Sequence, residues 1–320
     1  MLELEIDRLK EIDGSLKEQL KEAGFKSIKD IVIRGPVEVA KSANLSLGEA
    51  AHLCHNASLL LEQLGVIPNS ISNTGNNNST TAKEYITTGS VEMDRLLGGK
   101  GVEIGAITEF YGRSWSGKTQ ICLSLCVMVQ KLHSDNKAIF LDTEGKFRPE
   151  RVSQIAQKKG LNSDKYLQNT KHVRVYNTAR LETVIQQDCC SEIAKDSGVK
   201  LLVVDSVTSL YRAEYGERHM LSQRQHQLLK VLHILQNMAN SYNIAVVITN
   251  QVQTTPNEWT NNSDIPIGGN VIAHTSTFRI RLCGSNPDKM WAMLVSSPCY
   301  PQDDISFAIN EAGIVDVVDN

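Results

Sequence analysis

Residues 112 to 119 read Gly-Arg-Ser-Trp-Ser-Gly-Lys-Thr, the G-x-x-x-x-G-K-[ST] pattern of a phosphate-binding loop. The preceding residues, 106–111, read as a short buried strand, and Gln120 to Gln130 reads as an apolar helix. A loop of this kind works only between such a strand and such a helix. Gly112 and Gly117 let backbone N–H groups turn inward around a phosphate. Lys118 brings a point charge to the β/γ-phosphates, the Thr119 hydroxyl can ligate Mg²⁺, and the helix N-terminus favours an anion. The candidate nucleotide-binding stretch is therefore Gly112, Arg113, Ser114, Trp115, Ser116, Gly117, Lys118, Thr119 and Gln120.

Around this loop the chain divides by pattern. Residues 1–68 are helical in period, with Leu16, Leu20 and Ala23 on one face and Gly24 as a helix end. Short helices are expected at Asp30–Ile33 and Pro36–Ala40, and a longer one at Leu47–Leu64. Residues 69–85 begin polar and low in complexity, with little to bury, and read as a linker. From residue 86 to 320, strands alternate with helices. Strands are expected at 106–111, 137–142, 172–176, 199–205, 244–249, 277–283 and 290–296. Runs such as Leu201-Leu202-Val203-Val204 suit strands buried on both faces, and so a parallel α/β sheet.

A net charge of −3 gives no global basic field, so nucleic-acid binding would need local loops or a patch repeated along an oligomer. The seven cysteines, at 54, 122, 126, 189, 190, 283 and 299, are odd in number and lack a C-x-x-C pair. They read as reduced thiols, mostly packing residues, of a cytosolic protein. No apolar run spans a bilayer, so no membrane partner is expected.

Three further features lie at strand ends. Asp205 follows the apolar strand 200–204 and suits a second Mg²⁺ contact. Glu144, after strand 138–141, reads as a water-activating base or equally as a helix-capping carboxylate. Gln251, after strand 245–248, reads as a γ-phosphate sensor or equally as a polar strand-end turn. Two loops on the same side of the sheet then carry cations and a lone aromatic. Tyr211–Arg224 holds Arg212, Arg218 and Arg224, and 253–267 holds Trp259 and runs into Pro266-Ile267-Gly268-Gly269. These suit single-stranded nucleic acid, with cations on phosphates and an aromatic on bases. By the residues alone, the reading of the arginines as a solvated face and Trp259 as a packed lid is favoured, because the chain is slightly acidic.

Nine ordered motifs resemble the RecA/RadA recombinase family, closest to archaeal RadA and its eukaryotic relatives. They are Thr87-Thr88-Gly89-Ser90 with Asp94 and 96–99; Gly117-Lys118-Thr119-Gln120; Asp142 to Gly145 with Phe147 to Arg151; Leu202 to Ser206; Leu210-Tyr211-Arg212 with Leu221, Ser222, Arg224 and Gln225; Val247 to Val252; Pro266 to Gly269 with Ala273-His274; Ser297-Pro298-Cys299 with Pro301; and Ala308-Ile309-Asn310 with Gly313. The resemblance implies a RecA-like ATPase core with a mostly parallel sheet, after a small helix–hairpin–helix-like domain. It implies ATP and Mg²⁺ as cofactors, with Lys118, Thr119 and Asp205 at phosphate and metal. Glu144 would activate water, Gln251 would sense the γ-phosphate, Arg151 would lie beside adenine, and Pro298 would cap a neighbouring protomer's nucleotide. Arg212, Arg218, Arg224, Trp259, Gly268 and Gly269 would contact DNA. The implied activity is a DNA-dependent ATPase that self-associates, as filament or ring, on single-stranded DNA and exchanges strands with a duplex.

Several positions depart from the family pattern. Arg113 and Ser114 stand where it usually has Glu and an aromatic, and Trp115 is atypical. Ser296 replaces an Asp at the start of the cap, and Gln302 another acid. The linker's F-x-x-A segment reads Ser79-Thr80-Thr81-Ala82, without its Phe. The hairpin of the N-terminal domain is shortened to Ile12-Asp13-Gly14-Ser15. These departures keep a second reading open, a non-filamentous paralogue that regulates a second recombinase. A third is an ATP-dependent DNA-binding or helicase-loader module on the same fold.

Overall fold

The structure, a computed structural model, describes residues 5–9, 12–66, 83–255, 263–284 and 286–317. Three helices form the N-terminal unit: α1 (Gly14–Glu22), α2 (Ile28–Ser42) and α3 (Leu47–Gln63). Local sequence sets their starts. Asp13 accepts the Leu16 N–H at 2.7 Å, and Ser27–Asp30 and Ser46–Glu49 form capping boxes. Asp13 and Gly14, read as part of a shortened hairpin, thus open α1. The two short helices expected at 30–33 and 36–40 are the halves of α2. Gly35 (φ 73°) bends the helix between them, where Pro36 lacks an N–H. The three helices bury their own cluster, with Leu20, Phe25, Ile28, Ile31 and Leu61 at its centre. Beside it an apolar groove of about 690 Å³ opens between Leu9, Leu16, Leu53 and Leu60, remote from the phosphate loop.

Of the expected linker, 69–82 lies outside the described residues, as does the Ser79–Ala82 segment. Tyr85 already belongs to a small two-stranded sheet, β1 (Tyr85–Ile86) with β2 (Val102–Glu103), around α4 (Val91–Leu96). Next come β3 (Ile107–Gly112), α5 (Lys118–Leu132), β4 (Lys137–Asp142), α6 (Pro149–Lys158), α7 (Ser163–Gln168) and β5 (Thr170–Arg174). α8 (Thr178–Thr183) runs through a π-helical turn into α9 (Cys190–Lys195), and β6 (Val199–Asp205), α10 (Ser209–Glu214) and α11 (Leu221–Tyr242) follow. The chain closes with β7 (Ala245–Thr255), β8 (Ser263–Pro266), α12 (Gly269–Thr275), β9 (Phe278–Cys283), β10 (Met290–Ser296), β11 (Asp304–Asn310) and β12 (Gly313–Asp316).

The central sheet has ten strands in the order β12-β11-β10-β9-β3-β7-β6-β4-β5, with β8 attached to β7. From β9 to β5 all pairings are parallel. β10, β11, β12 and β8 add antiparallel pairings. This is the expected mostly parallel α/β core. Strands β1, β2, β8, β11 and β12 escape a reading of apolar runs. They are short, or alternate between a buried and an open face, as β11 does with Ile305 and Phe307 inward. α5 packs against one face of the sheet and α11 against the other.

The N-terminal unit docks on the second of these helices. Ile33 is fully buried in the α11-side cluster. Asn237 donates to the Ile33 carbonyl at 3.0 Å and the Tyr242 hydroxyl to Asp30 at 3.2 Å.

Candidate nucleotide-binding site

Parallel pairing aligns the carboxyl ends of four adjacent strands, and the site forms along that edge. In register, Gly112 of β3 faces Gln251 of β7, and Asp142 of β4 faces Asp205 of β6. The phosphate loop leaves β3 and enters α5 through Gly117, which holds φ at 87°. A side chain is also excluded at Gly112, where a Cβ would lie 2.3 Å from the Leu282 carbonyl oxygen.

Lys118 is buried and donates to the carbonyls of Gly112 (2.9 Å) and Arg113 (2.6 Å). Burial pulls its ammonium down to about 8, against the attraction of Asp205. The Thr119 hydroxyl donates to Asp205 Oδ2 at 2.7 Å, and the Thr249 hydroxyl donates to Oδ1. Burial raises the Asp205 carboxyl above its ordinary value, more than these two donors lower it. Glu144 accepts from Gln251 Nε2 at 2.7 Å and pairs with Lys146 at 2.5 Å. Two chain segments remote in sequence are thereby joined at the residues read as base and sensor.

The residues present fit Mg²⁺ with a triphosphate. The Thr119 hydroxyl and the Asp205 carboxylate are hard oxygen ligands, and Mg²⁺ takes one or two such protein groups with phosphate and water. Among the described residues no group of three or more His, Cys, Asp or Glu could hold a metal.

Asp142 has a role that sequence did not suggest. It receives the N–H groups of Glu144 (3.1 Å), Gly145 (2.6 Å), Lys146 (3.1 Å) and Phe147 (3.2 Å). Burial alone would raise its carboxyl. The amides of Phe147, Lys146 and Gly145, with Arg174, outweigh burial and hold it below the usual range. The turn carrying Glu144 is thus built on Asp142. Asn250 is a second such residue. It is fully buried, donates to Glu109 (2.8 Å) and the Ile267 carbonyl (2.7 Å), and accepts from Thr208 (2.8 Å). The signal available was position, since each polar group sits at the end of an apolar strand.

The remaining candidates are spread around this edge. Arg151 binds Gln120 at 2.8 Å and the Asn310 carbonyl at 2.5 Å, so it sits between α5 and the β11–β12 turn. Ser114 and Trp115 are exposed, while Ser116 is buried. Arg113 turns to Asp264 on β8. Pro298 is not brought to the phosphate loop of its own chain. β10 runs antiparallel to β9, so its end at Ser296 lies toward the opposite edge of the sheet. There Tyr300 stacks on Phe278, at the start of β9.

The segment Tyr211–Arg224 is not a continuous loop. Arg212 lies in the last turn of α10 and Arg224 in the first turns of α11, with Arg218 in a short 3-10 turn between them. Its Leu, Arg and Gln residues are good helix formers, which a reading by charge alone overlooks. Arg212 is exposed and Arg224 half-buried. The second segment is a hairpin stem of β7 and β8 leading to Gly268, which precedes α12, and Gly269, its first residue. Trp259 lies outside the described residues. No helix among the described residues is long and apolar enough to cross a membrane.

Comparison with known proteins agrees with this arrangement. The family model Rad51 matches residues 81–317. The chain is also similar to the DNA repair and recombination protein RadA of Cenarchaeum symbiosum (strain A). The two are 34% identical over 309 residues, covering 94% of this chain and 76% of that protein. With the strand-edge constellation of Lys118, Thr119, Asp205, Glu144 and Gln251 in place, the chain belongs to the Rad51 family of RecA/RadA-type recombinases.

Proposed function

We propose that this chain is an ATP-dependent DNA recombinase. It assembles on single-stranded DNA as a filament, hydrolyses ATP, and promotes homologous pairing and strand exchange in repair. The observation that carries this reading is the Glu144–Gln251 hydrogen bond beside the Thr119–Asp205 pair. Bound Mg²⁺ would supply charge neutralisation at the phosphates. Lys118 and the loop amides hold the anion, Thr119 and Asp205 offer oxygens to the metal, and Glu144 takes a proton from the attacking water. Gln251 lies at the root of the β7–β8 hairpin, so its contact with Glu144 links the triphosphate to a DNA-binding segment. Arg212, Arg218 and Arg224, with Gly268, Gly269 and Trp259, make the DNA contacts in this reading. Residues 1–68 act as a separate helical unit and 69–85 as its tether.

The position of Pro298 supports a site completed between protomers, because its loop lies toward the edge of the sheet opposite the chain's own phosphate loop. A second reading, a regulatory paralogue, is favoured by one observation. The exposed Ser296 offers no carboxylate where a cap would begin. Strand exchange by the purified protein with ATP and Mg²⁺ separates the two. Joint-molecule formation, with a large particle in light scattering on single-stranded DNA, is expected of the recombinase. A particle that stays monomeric or dimeric and forms no joint molecules overturns it.

A further inference from the structure

We propose that Arg113 and Asp264 are positioning residues that tie the phosphate loop to the returning strand of the β7–β8 hairpin. The inference rests on the reading that the loop binds a triphosphate. Arg113 Nε reaches both carboxylate oxygens of Asp264, at 2.9 and 2.8 Å. Exposed ion pairs usually contribute little. This pair is asymmetric, because the Arg113 side chain is 60% exposed and that of Asp264 only 10%. A carboxylate so withdrawn from water needs cations, and Arg281 adds a second at 3.6 Å.

What makes the pair more than a staple is the other end of Arg113. Its backbone carbonyl accepts from Lys118 Nζ at 2.6 Å. An ammonium has three donors, and those of Lys118 are directed to Gly112, Arg113 and Ser116. A phosphate taken up by Lys118 competes for them, so the Arg113 peptide changes partners and its side chain carries the change to Asp264. The hairpin stem is then held at both strands. Gln251 on β7 binds Glu144, and Asp264 on β8, opposite Thr254, binds Arg113. Either strand alone could swing about one contact, whereas two contacts fix the orientation of the stem that leads to Gly268. Coupling of this kind is reciprocal, so a polyanion held on the hairpin would tighten nucleotide in return.

Amide hydrogen exchange of the full chain, with and without a non-hydrolysable ATP analogue and Mg²⁺, tests the proposal. In the wild type, nucleotide slows exchange at residues 263–265 by about fivefold or more. Asp264→Asn loses that slowing while residues 251–253 keep theirs, and the exchange Arg113→Asp with Asp264→Arg recovers it. Should Asp264→Asn fail to fold, Arg113→Gln, at an exposed side chain, makes the same comparison. Slowing at 263–265 that survives in these variants overturns the coupling. So does a change that is equal with and without nucleotide, which would leave the pair as a staple only. Calorimetry of analogue binding to the wild type separates the two levels. No binding overturns the reading of the site, and the coupling with it. Binding with unaltered exchange at 263–265 overturns the coupling alone.

Discussion

Thr119 donates its hydroxyl to Asp205 at 2.7 Å, across 86 residues of chain. One residue lies in the first turn of the helix after the phosphate loop, and the other ends β6, two positions from β3 in the sheet. Their meeting brings a hydroxyl and a carboxylate, neither a metal site alone, into one oxygen pair suited to Mg²⁺.

Both members are therefore needed for the metal-dependent part of nucleotide binding. Thr119→Ala and Asp205→Asn are each expected to lose at least about tenfold of the Mg²⁺-dependent gain in affinity for an ATP analogue, ~1.4 kcal/mol. Binding without metal should change far less. Titration calorimetry with and without Mg²⁺ checks this, and an unchanged metal dependence in either variant removes that residue from the metal site.

Lys118 gives the chain a distinctive alkaline profile. Its pKa is about 8 in the fold and about 10.4 in an unfolded chain. Between those values the unfolded state binds more protons, so this lysine's contribution to stability rises with pH. Its charged form is disfavoured below pH 8, and the penalty is relieved as pH approaches 10.4. Relative to Lys118→Met, the nucleotide-free wild type should gain about 3 kcal/mol across that window, as an order of magnitude. Urea unfolding of both proteins at several pH values measures the difference, and parallel curves would refute it.

Glu144 is held by Gln251 on one oxygen and Lys146 on the other, which fixes where it can accept a proton. Glu144→Gln keeps the shape and removes the base. ATP hydrolysis should fall by about 10²–10⁴-fold, with analogue affinity nearly unchanged. Single-turnover hydrolysis beside equilibrium binding separates the two, and near-normal turnover would leave Glu144 a capping residue.

Asp142 is expected to matter for stability first. Four backbone N–H groups converge on it, and Asp142→Ala leaves them without their acceptor, at about 3 kcal/mol. The carboxyl is held below its ordinary value, so its contribution is full above about pH 3.9 and is lost as pH falls through the lower folded value. Chemical denaturation at pH 7 and at steps below about pH 3.9 would show a gap between the proteins that narrows only in that acid range, and a gap that is unchanged there would refute the assignment.

Much of this was legible in order along the chain. The Gly-Lys-Thr run placed the phosphate loop, and the expected strands overlap all six parallel strands, although β5 begins two residues earlier and β7 runs on to Thr255; polar residues at or after the expected ends of β4, β6 and β7 marked the candidate site positions. The antiparallel strands β11 and β12 were not legible as strands, because alternating burial without a long apolar run leaves little local signal. Charge alone also misjudged Tyr211–Arg224, where helix propensity prevails at both ends.

The sequence by itself determined which chemical groups exist and on which strand end each one sits, since backbone sterics and hydrophobic periodicity act locally. Tertiary structure decided who meets whom. Strand order and parallel register put Asp205 beside Thr119 and Gln251 beside Glu144, and carried the Pro298 loop toward the other edge of the sheet. It also turned Arg113 of the phosphate loop toward Asp264. Such contacts span many tens of residues and depend on how sheet and helices pack, a long-range property that no local window of sequence contains.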